Sequence, residues 1–378
     1  MSKHDIIIVG GGGFGSSAAY YAAKSGKKVL VIDRFDRGHN KGSSHGETRV
    51  IRKAYFEHPD YVPLLQQACK LWNKLEEVSQ RDLIVPCGLM LNGPADCDLI
   101  SGTRQAAVEN GLDLEEVAEE EYEDRFPGFN IPEETETIYE VDGGFLNVEG
   151  CIDTYLAGAE SRGVEFRWNE EVTHWESDGQ NVKVWTKEET FEADSLIIAA
   201  GAWASQVLAS LPNMPQLSVV RKVMYWFPVK SDAYDYTYGS SCFCYQTPDG
   251  FFYGFPSIDG NVVKVCEHTG GTPVENPSEL DTESHEADLL PVQNFLQRYM
   301  PEVDPHPESF EVCMYTKTPD EHFIIDQHPD YQNVSFGAGF SGHGFKFVSV
   351  LGKVLADLAI HYETDQPIQF LRLDRFAK

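Results

Sequence analysis

A strand-forming run, Asp5–Val9, leads without a break into Gly10-Gly11-Gly12-Gly13-Phe14-Gly15, and an alanine-rich helix follows. This G-x-G-x-x-G, in its strand–turn–helix setting, constrains the chain more than any other feature. Gly10 permits the sharp turn, Gly12 lets the backbone approach a pyrophosphate, and Gly15 lets the helix pack closely on the strand. The helix N-terminus adds amide donors and the positive end of its dipole. The next strand, Val29–Ile32, ends in Asp33, at about the spacing at which an acid meets a ribose hydroxyl. The alternative is a glycine-rich turn that holds nothing. The strand, the helix and the acid together weigh against it.

At 378 residues the chain exceeds one ordinary core, so two domains are expected. A net charge of -30 argues against nucleic acid and anionic membrane as partners, and its plain reading is solubility. The start of the chain lacks the apolar stretch and cleavage site of a secretory signal, and no apolar run approaches membrane-spanning length. The 8 cysteines are scattered. Cys242-x-Cys244 has no second ligand pair, so no metal site is expected, and reduced thiols point to the cytoplasm.

The expected fold class is α/β plus antiparallel β. A Rossmann-like dinucleotide domain would be assembled from three chain segments, residues 1–80, 145–215 and 315–378. Residues 81–144 and 216–314 would form a substrate domain on a mostly antiparallel sheet. Turn signals at Pro248-Asp249-Gly250 and Asp259-Gly260-Asn261 separate strands in that second domain, including Phe251–Phe255 and Val262–His268. The acidic run Glu115–Asp124 reads as a solvated helix face. Asp194–Trp203 reads as a second buried strand ending in glycine. Val334–Ala338 is another strand, followed by Gly339–Gly344 and a helix with Phe347, Val350, Leu351, Val354, Leu355 and Leu358 at spacings of three and four. A nicotinamide dehydrogenase would usually continue its βαβ units after the first ribose acid. Here the chain leaves the sheet and returns, which favours FAD.

Four blocks carry a more specific likeness: Gly42–Arg52 (GSSHGETRVIR), Tyr253–Pro256 (YGFP), Val312–Thr316 (VCMYT), and Asp320–Asp326 (DEHFIID) with Ser341–Phe347 (SGHGFKF). With them the whole chain resembles the monomeric sarcosine oxidase and N-methyltryptophan oxidase family of flavin-dependent amine oxidases. The resemblance implies FAD held covalently through a cysteine sulfur, which corresponds here to Cys313. Read alone, such a residue is a small buried hydrophobe. It matches Arg52 and Lys346 to the residues that hold a substrate carboxylate, a task suited to an Arg fork and charge-assisted donors. Their plain readings are an ion pair with Glu47 or Glu57 for Arg52 and a surface lysine for Lys346.

Strand alternation puts Lys264, Cys266 and His268 on one face and Val263 and Val265 on the other. A lysine between valines commonly points to solvent. The resemblance instead matches Lys264 to a cation near flavin N5 that promotes reaction with oxygen, and His268 to a residue shaping the substrate pocket. His45 and Arg49 match residues beside the flavin ring. Ser43, Ser44 and Thr48 resemble a phosphate-contacting loop, although many relatives carry a second histidine where this chain has Ser44. Tyr253 and Tyr315 match active-site tyrosines, whose plain reading is aromatic packing. Gly10, Gly12, Phe14, Gly15, Asp33, Val172, Gly201, Gly342, Gly344, Phe345 and Lys346 complete the expected cofactor contacts, with the Gly342–Lys346 turn at the flavin.

The implied activity is oxidation of the secondary amine of an N-methyl amino acid, with an imine hydrolysed to amine and aldehyde and O2 reduced to hydrogen peroxide. The implied partners are a small secondary-amine amino acid and O2, with the chain a monomer. Oxidation of pipecolate, proline or fructosyl amino acids stays open, as does a flavin dehydrogenase or a non-catalytic FAD-binding protein.

Overall fold

The computed structural model describes residues 3–377. Its first sheet is 8-stranded. Strands Glu165–Arg167, Val29–Ile32, His4–Val9, Thr190–Ile198 and Val334–Ala338 lie side by side and parallel, with Ile324–Gln327 antiparallel at the edge. A hairpin, Val172–Ser177 and Val182–Thr186, pairs with the first half of Thr190–Ile198. The central strands are buried along nearly their whole length, as parallel strands covered on both faces must be. Helices Gly13–Lys24, Val148–Glu160 and Val348–His361 cover one face. The last of them buries Val350, Leu351, Val354, Leu355 and Leu358, the stripe expected from its spacing.

The second sheet is 9-stranded. Ser218–Pro228 pairs with Ser309–Lys317 on one side and with Val262–Glu267 and Thr272–Val274 on the other. The order continues through Gly250–Phe255, Cys242–Thr247, Leu89–Gly93, Glu136–Glu140 and Glu115–Val117. Its pairings are antiparallel except for Cys242–Thr247 against Leu89–Gly93. Helix Glu286–Tyr299 packs Val292, Phe295, Leu296 and Tyr299 on one face of this sheet, against Val263 and Val265. A 3-stranded antiparallel sheet, Thr48–Ile51, Gly144–Asn147 and Ile84–Val85, carries Arg49.

The mixed architecture, with a parallel dinucleotide-type sheet drawn from separated segments and a mostly antiparallel second sheet, is the one expected. The acidic run is not one helix. Glu115–Val117 is an edge strand, Glu119–Glu121 a 3-10 turn and Tyr122–Arg125 a single helical turn. Arg125 and Arg104 pair with Glu115 and Glu116, so cross-element charge pairs and a sheet edge override the helical tendency of glutamates. Among the described residues no helix is long and apolar enough to cross a membrane, and all eight cysteines are free. No group of three or more His, Cys, Asp or Glu residues gathers as a metal site among them.

Candidate active site

One cavity of about 630 Å³ runs from the glycine turn to the second sheet. At the first end the three fingerprint glycines do three different jobs. Gly10 has φ +100°, and a Cβ there would overlap the Ala199 carbonyl; one on Gly15 would overlap the Gly10 carbonyl. A Cβ on Gly12 would meet nothing within 4 Å, so the space above the helix start belongs to no protein atom. The first turn of helix Gly13–Lys24 carries no acidic side chain. Its dipole end is therefore open to an anion. Asp33 accepts from the Gly11 amide at 2.6 Å and the Phe35 amide at 2.8 Å, which fixes its carboxylate at the cavity wall. A pyrophosphate and ribose fit this cradle. Val172 and Gly201 line the same end, and Phe14 stacks on Phe340 with ring centroids 3.7 Å apart.

At the far end the wall is built from side chains. Arg52 lies 4% exposed, its Nη2 donating to both oxygens of Glu57 at 2.7 and 2.6 Å and its Nη1 to the Ala54 carbonyl. The guanidinium stacks over Tyr55 and Phe56. The ion pair weighed in the sequence is present, with Glu57 rather than Glu47, and both partners line the cavity. Lys346 is no surface lysine. It is 6% exposed, its Nζ donates to the His343 carbonyl at 2.8 Å, and burial with the nearby Arg52 charge pushes its pKa down to about 7. Gly342 has φ +84°, and a Cβ there would strike the Tyr315 ring. The Gly342–Lys346 turn thus packs directly on the second sheet, and Gly344 and Phe345 also face the cavity.

Tyr253, Tyr315 and His268 meet on one wall. The two hydroxyls are 3.3 Å apart, and the Tyr315 hydroxyl is 3.5 Å from His268 Nδ1. Burial, with the His343 and Lys222 charges, lowers the His268 pKa to about 3, so this ring is neutral and serves as a hydrogen-bonding group. Arg49 lines the cavity and donates to the carbonyls of Thr48 and Ser43. The Ser43 hydroxyl donates to the Met314 carbonyl at 2.5 Å, which ties the Gly42–Ser44 loop to strand Ser309–Lys317. Ser44 also lines the cavity.

Lys264 and Cys313 stand one layer back, outside the cavity lining. Lys264 does not reach solvent: it is 2% exposed, with Nζ bonded to the Gly46 carbonyl at 2.5 Å and to the Thr48 carbonyl and hydroxyl. Burial and Arg49 lower its pKa to about 8. Cys313 packs with Cys266, Trp226 and Tyr315, and burial pushes its thiol up against the pull of Arg49 and Lys264.

Two more expected residues, Thr48 and His45, also stand off the main wall. Thr48 is buried and turns to Lys264 instead of toward a phosphate, because strand pairing with Asn147 fixes its side. His45 lines a neighbouring cavity, where its Nδ1 is 2.7 Å from Glu311. Glu57, Phe56, Phe251, Cys244 and His343 are wall residues to which sequence reasoning gave no role in the site. The signal for the first two was their place just after Arg52; His343 lay inside the Ser341–Phe347 motif.

The family profile described as FAD dependent oxidoreductase matches residues 5–358. The chain belongs to the FAD-dependent oxidoreductase family. Among its relatives in this family, monomeric sarcosine oxidase of Arthrobacter sp. (strain TE1826) is 38% identical over 380 residues, covering 99% of this chain and 97% of that protein. N-methyl-L-tryptophan oxidase of Salmonella dublin is 34% identical, with 100% of both chains covered. The solved structure of NikD, an amino acid oxidase of nikkomycin biosynthesis in its open form, superposes with a TM-score of 0.87 at 25% identity, over 98% of each chain. FAD is thus the dinucleotide for which the glycine cradle is built.

Proposed function

We propose that this FAD-dependent oxidoreductase oxidises the secondary amine of an N-methyl amino acid, of the sarcosine or N-methyltryptophan type, and passes the electrons to O2 to give hydrogen peroxide. The observation that carries the reading is a buried pair of cations, Arg52 and Lys346, on the wall of a cavity that begins at the FAD cradle. Such cations suit one small carboxylate. Bound FAD supplies the two-electron acceptor. Arg52 and Lys346 orient the substrate carboxylate, with Arg52 exchanging part of its Glu57 pair for it. The positive surroundings favour the neutral amine, so its proton is lost to solvent before reaction and no strong side-chain base is required. His268, Tyr253 and Tyr315 shape the wall and exclude water. Lys264, beside Arg49, supplies a fixed positive charge where oxygen is reduced. Cys313 would hold the bound FAD through a thioether.

A small side chain suits the site best. Phe56 and Phe251 have ring centroids 5.9 Å apart, too close to admit an indole between them. The domain division follows the sheets, with the last boundary after Lys317, because Ser309–Lys317 pairs along its whole length in the second sheet. We also place the protein in a reducing compartment such as the cytoplasm, as a monomer, on its free thiols and acidic surface.

A peroxide assay across sarcosine, N-methyltryptophan, N-methylalanine, pipecolate, proline and a fructosyl amino acid tests the activity. The expected result is peroxide with sarcosine above N-methyltryptophan; peroxide with none would overturn the oxidase reading. Acid precipitation should carry the yellow chromophore into the pellet, and a yellow supernatant would refute the Cys313 linkage.

A further inference from the structure

Cys242-x-Cys244 stands out in the sequence, and the proposed chemistry uses neither thiol. Cys244 lines the main cavity. Cys242 is fully buried, with its sulfur 3.7 Å from that of Cys87, which is partly exposed. The backbone holds the two together. The Cys242 amide donates to the Gly88 carbonyl at 3.2 Å. Gly88 has φ +80°, and the Tyr139 hydroxyl fills the place of a Cβ there while donating to the Cys87 carbonyl. The loop bearing Cys87 is therefore fastened on both sides, and its sulfur has few ways to avoid its neighbour. Bringing the sulfurs to a bonding distance of about 2.05 Å requires a shift of under about 2 Å, within the reach of side-chain rotation.

We propose that Cys87 and Cys242 form a peroxide-responsive dithiol, oxidised reversibly to an intrachain disulfide. The two thiols are unequal in the way this chemistry needs. The Cys242 thiol, donating toward Cys87, holds the Cys87 thiol below its ordinary value, while burial pushes the Cys242 thiol up. Cys87 is the nucleophile and Cys242 the resolving thiol. The Cys87 thiolate attacks one peroxide oxygen, the O–O bond breaks and hydroxide leaves, giving a sulfenic acid. The Cys242 sulfur then attacks the Cys87 sulfur and the S–O bond breaks. The departing oxygen takes the Cys242 proton and leaves as water. In sum two thiols lose two hydrogens and one peroxide becomes two waters. The oxidant is hydrogen peroxide from any source; that the enzyme makes its own rests on the oxidase reading.

The test uses the holoenzyme, exposed to a few equivalents of added hydrogen peroxide, alkylated, digested and analysed by mass spectrometry. The expected product is a linked Cys87–Cys242 peptide pair, two hydrogens lighter than the separate thiols, lost on treatment with dithiothreitol. Cys87→Ser and Cys242→Ala should each abolish it, and Cys97→Ser should leave it intact. Recovery of both cysteines as separate alkylated or over-oxidised peptides in the unmutated protein would overturn the proposal without reference to any variant's folding. A second arm turns over sarcosine in air, with and without catalase. Linkage there that catalase suppresses supports the internal source. Linkage with added peroxide but none on turnover keeps the dithiol and counts against the oxidase reading.

Discussion

The two ends of the cavity are made of different materials. The cofactor end is backbone: Gly10, Gly12 and Gly15 act through what they lack, and Asp33 is held by two amides. The reactive end is side chain: Arg52, Lys264 and Lys346 are buried cations drawn from three distant stretches of chain, with the half-buried Arg49 and Glu57 lining the wall beside Arg52. Buried charges are expensive unless paired or bonded, and here most of the compensation comes from carbonyls of Gly46, Thr48, Ala54 and His343. The first end holds its ligand by shape. The second holds its charges ready at the expense of local stability, and substitutions should separate the two.

The largest effect is expected at the glycines. Gly15→Ala forces a methyl into the Gly10 carbonyl and should destabilise the fold by about 3 kcal/mol or more, giving little coloured protein. Gly12→Ala enters open space, so the apoprotein should melt within about 0.5 kcal/mol of the parent while flavin content collapses. Calorimetry beside a flavin-to-protein ratio reads both. A Gly12→Ala protein with full flavin content would break the reading of that space as the ligand's.

Lys264→Met tests the other end. Reoxidation of the reduced enzyme by O2 should slow roughly 10²- to 10³-fold, with KM little changed. Stopped-flow reoxidation at the parent rate would remove Lys264 from the reaction. Arg52→Gln should raise KM roughly 10- to 100-fold and destabilise the fold, because Glu57 is left without its cation. Adding Glu57→Gln should restore stability but not affinity. Recovery of both would mean that the pair is structural only.

This contrast also explains what was legible in the sequence. Backbone geometry is local, so the glycine fingerprint, Asp33 and strands Val29–Ile32 and Val334–Ala338 can be read from a few neighbouring residues. Alternation correctly separates Lys264 and Cys266 from Val263 and Val265, yet it cannot tell that both faces are covered, since the cover comes from Trp226, Phe255 and helix Glu286–Tyr299. Partner choice is the least local property. Glu57 against Glu47 for Arg52, and Glu311 for His45, depend on where a loop and a remote strand happen to sit. Sequence offers candidates for such pairs and three dimensions choose among them.

The smallest effect is the most diagnostic of the cationic end. Lys346 in the fold loses its proton near pH 7, far below the 10.5 of an exposed lysine. Between those values the unfolded chain binds the extra proton, so the charge on this residue burdens the fold in full below about 7, less as pH rises, and not at all above about 10.5. Affinity for a carboxylate runs the other way, since the ammonium that attracts it is present only below about 7 in the free enzyme. A competitive carboxylate without an amine, such as methylthioacetate, should therefore bind more weakly from pH 6 to 8, by at most about tenfold per pH unit. In Lys346→Met the inhibitor's dissociation constant should lose this slope, and the difference in unfolding free energy from the parent should narrow with rising pH. Parallel pH profiles for parent and variant, in binding and in stability alike, would show that the charge at Lys346 is neither a burden on the fold nor a grip on the ligand.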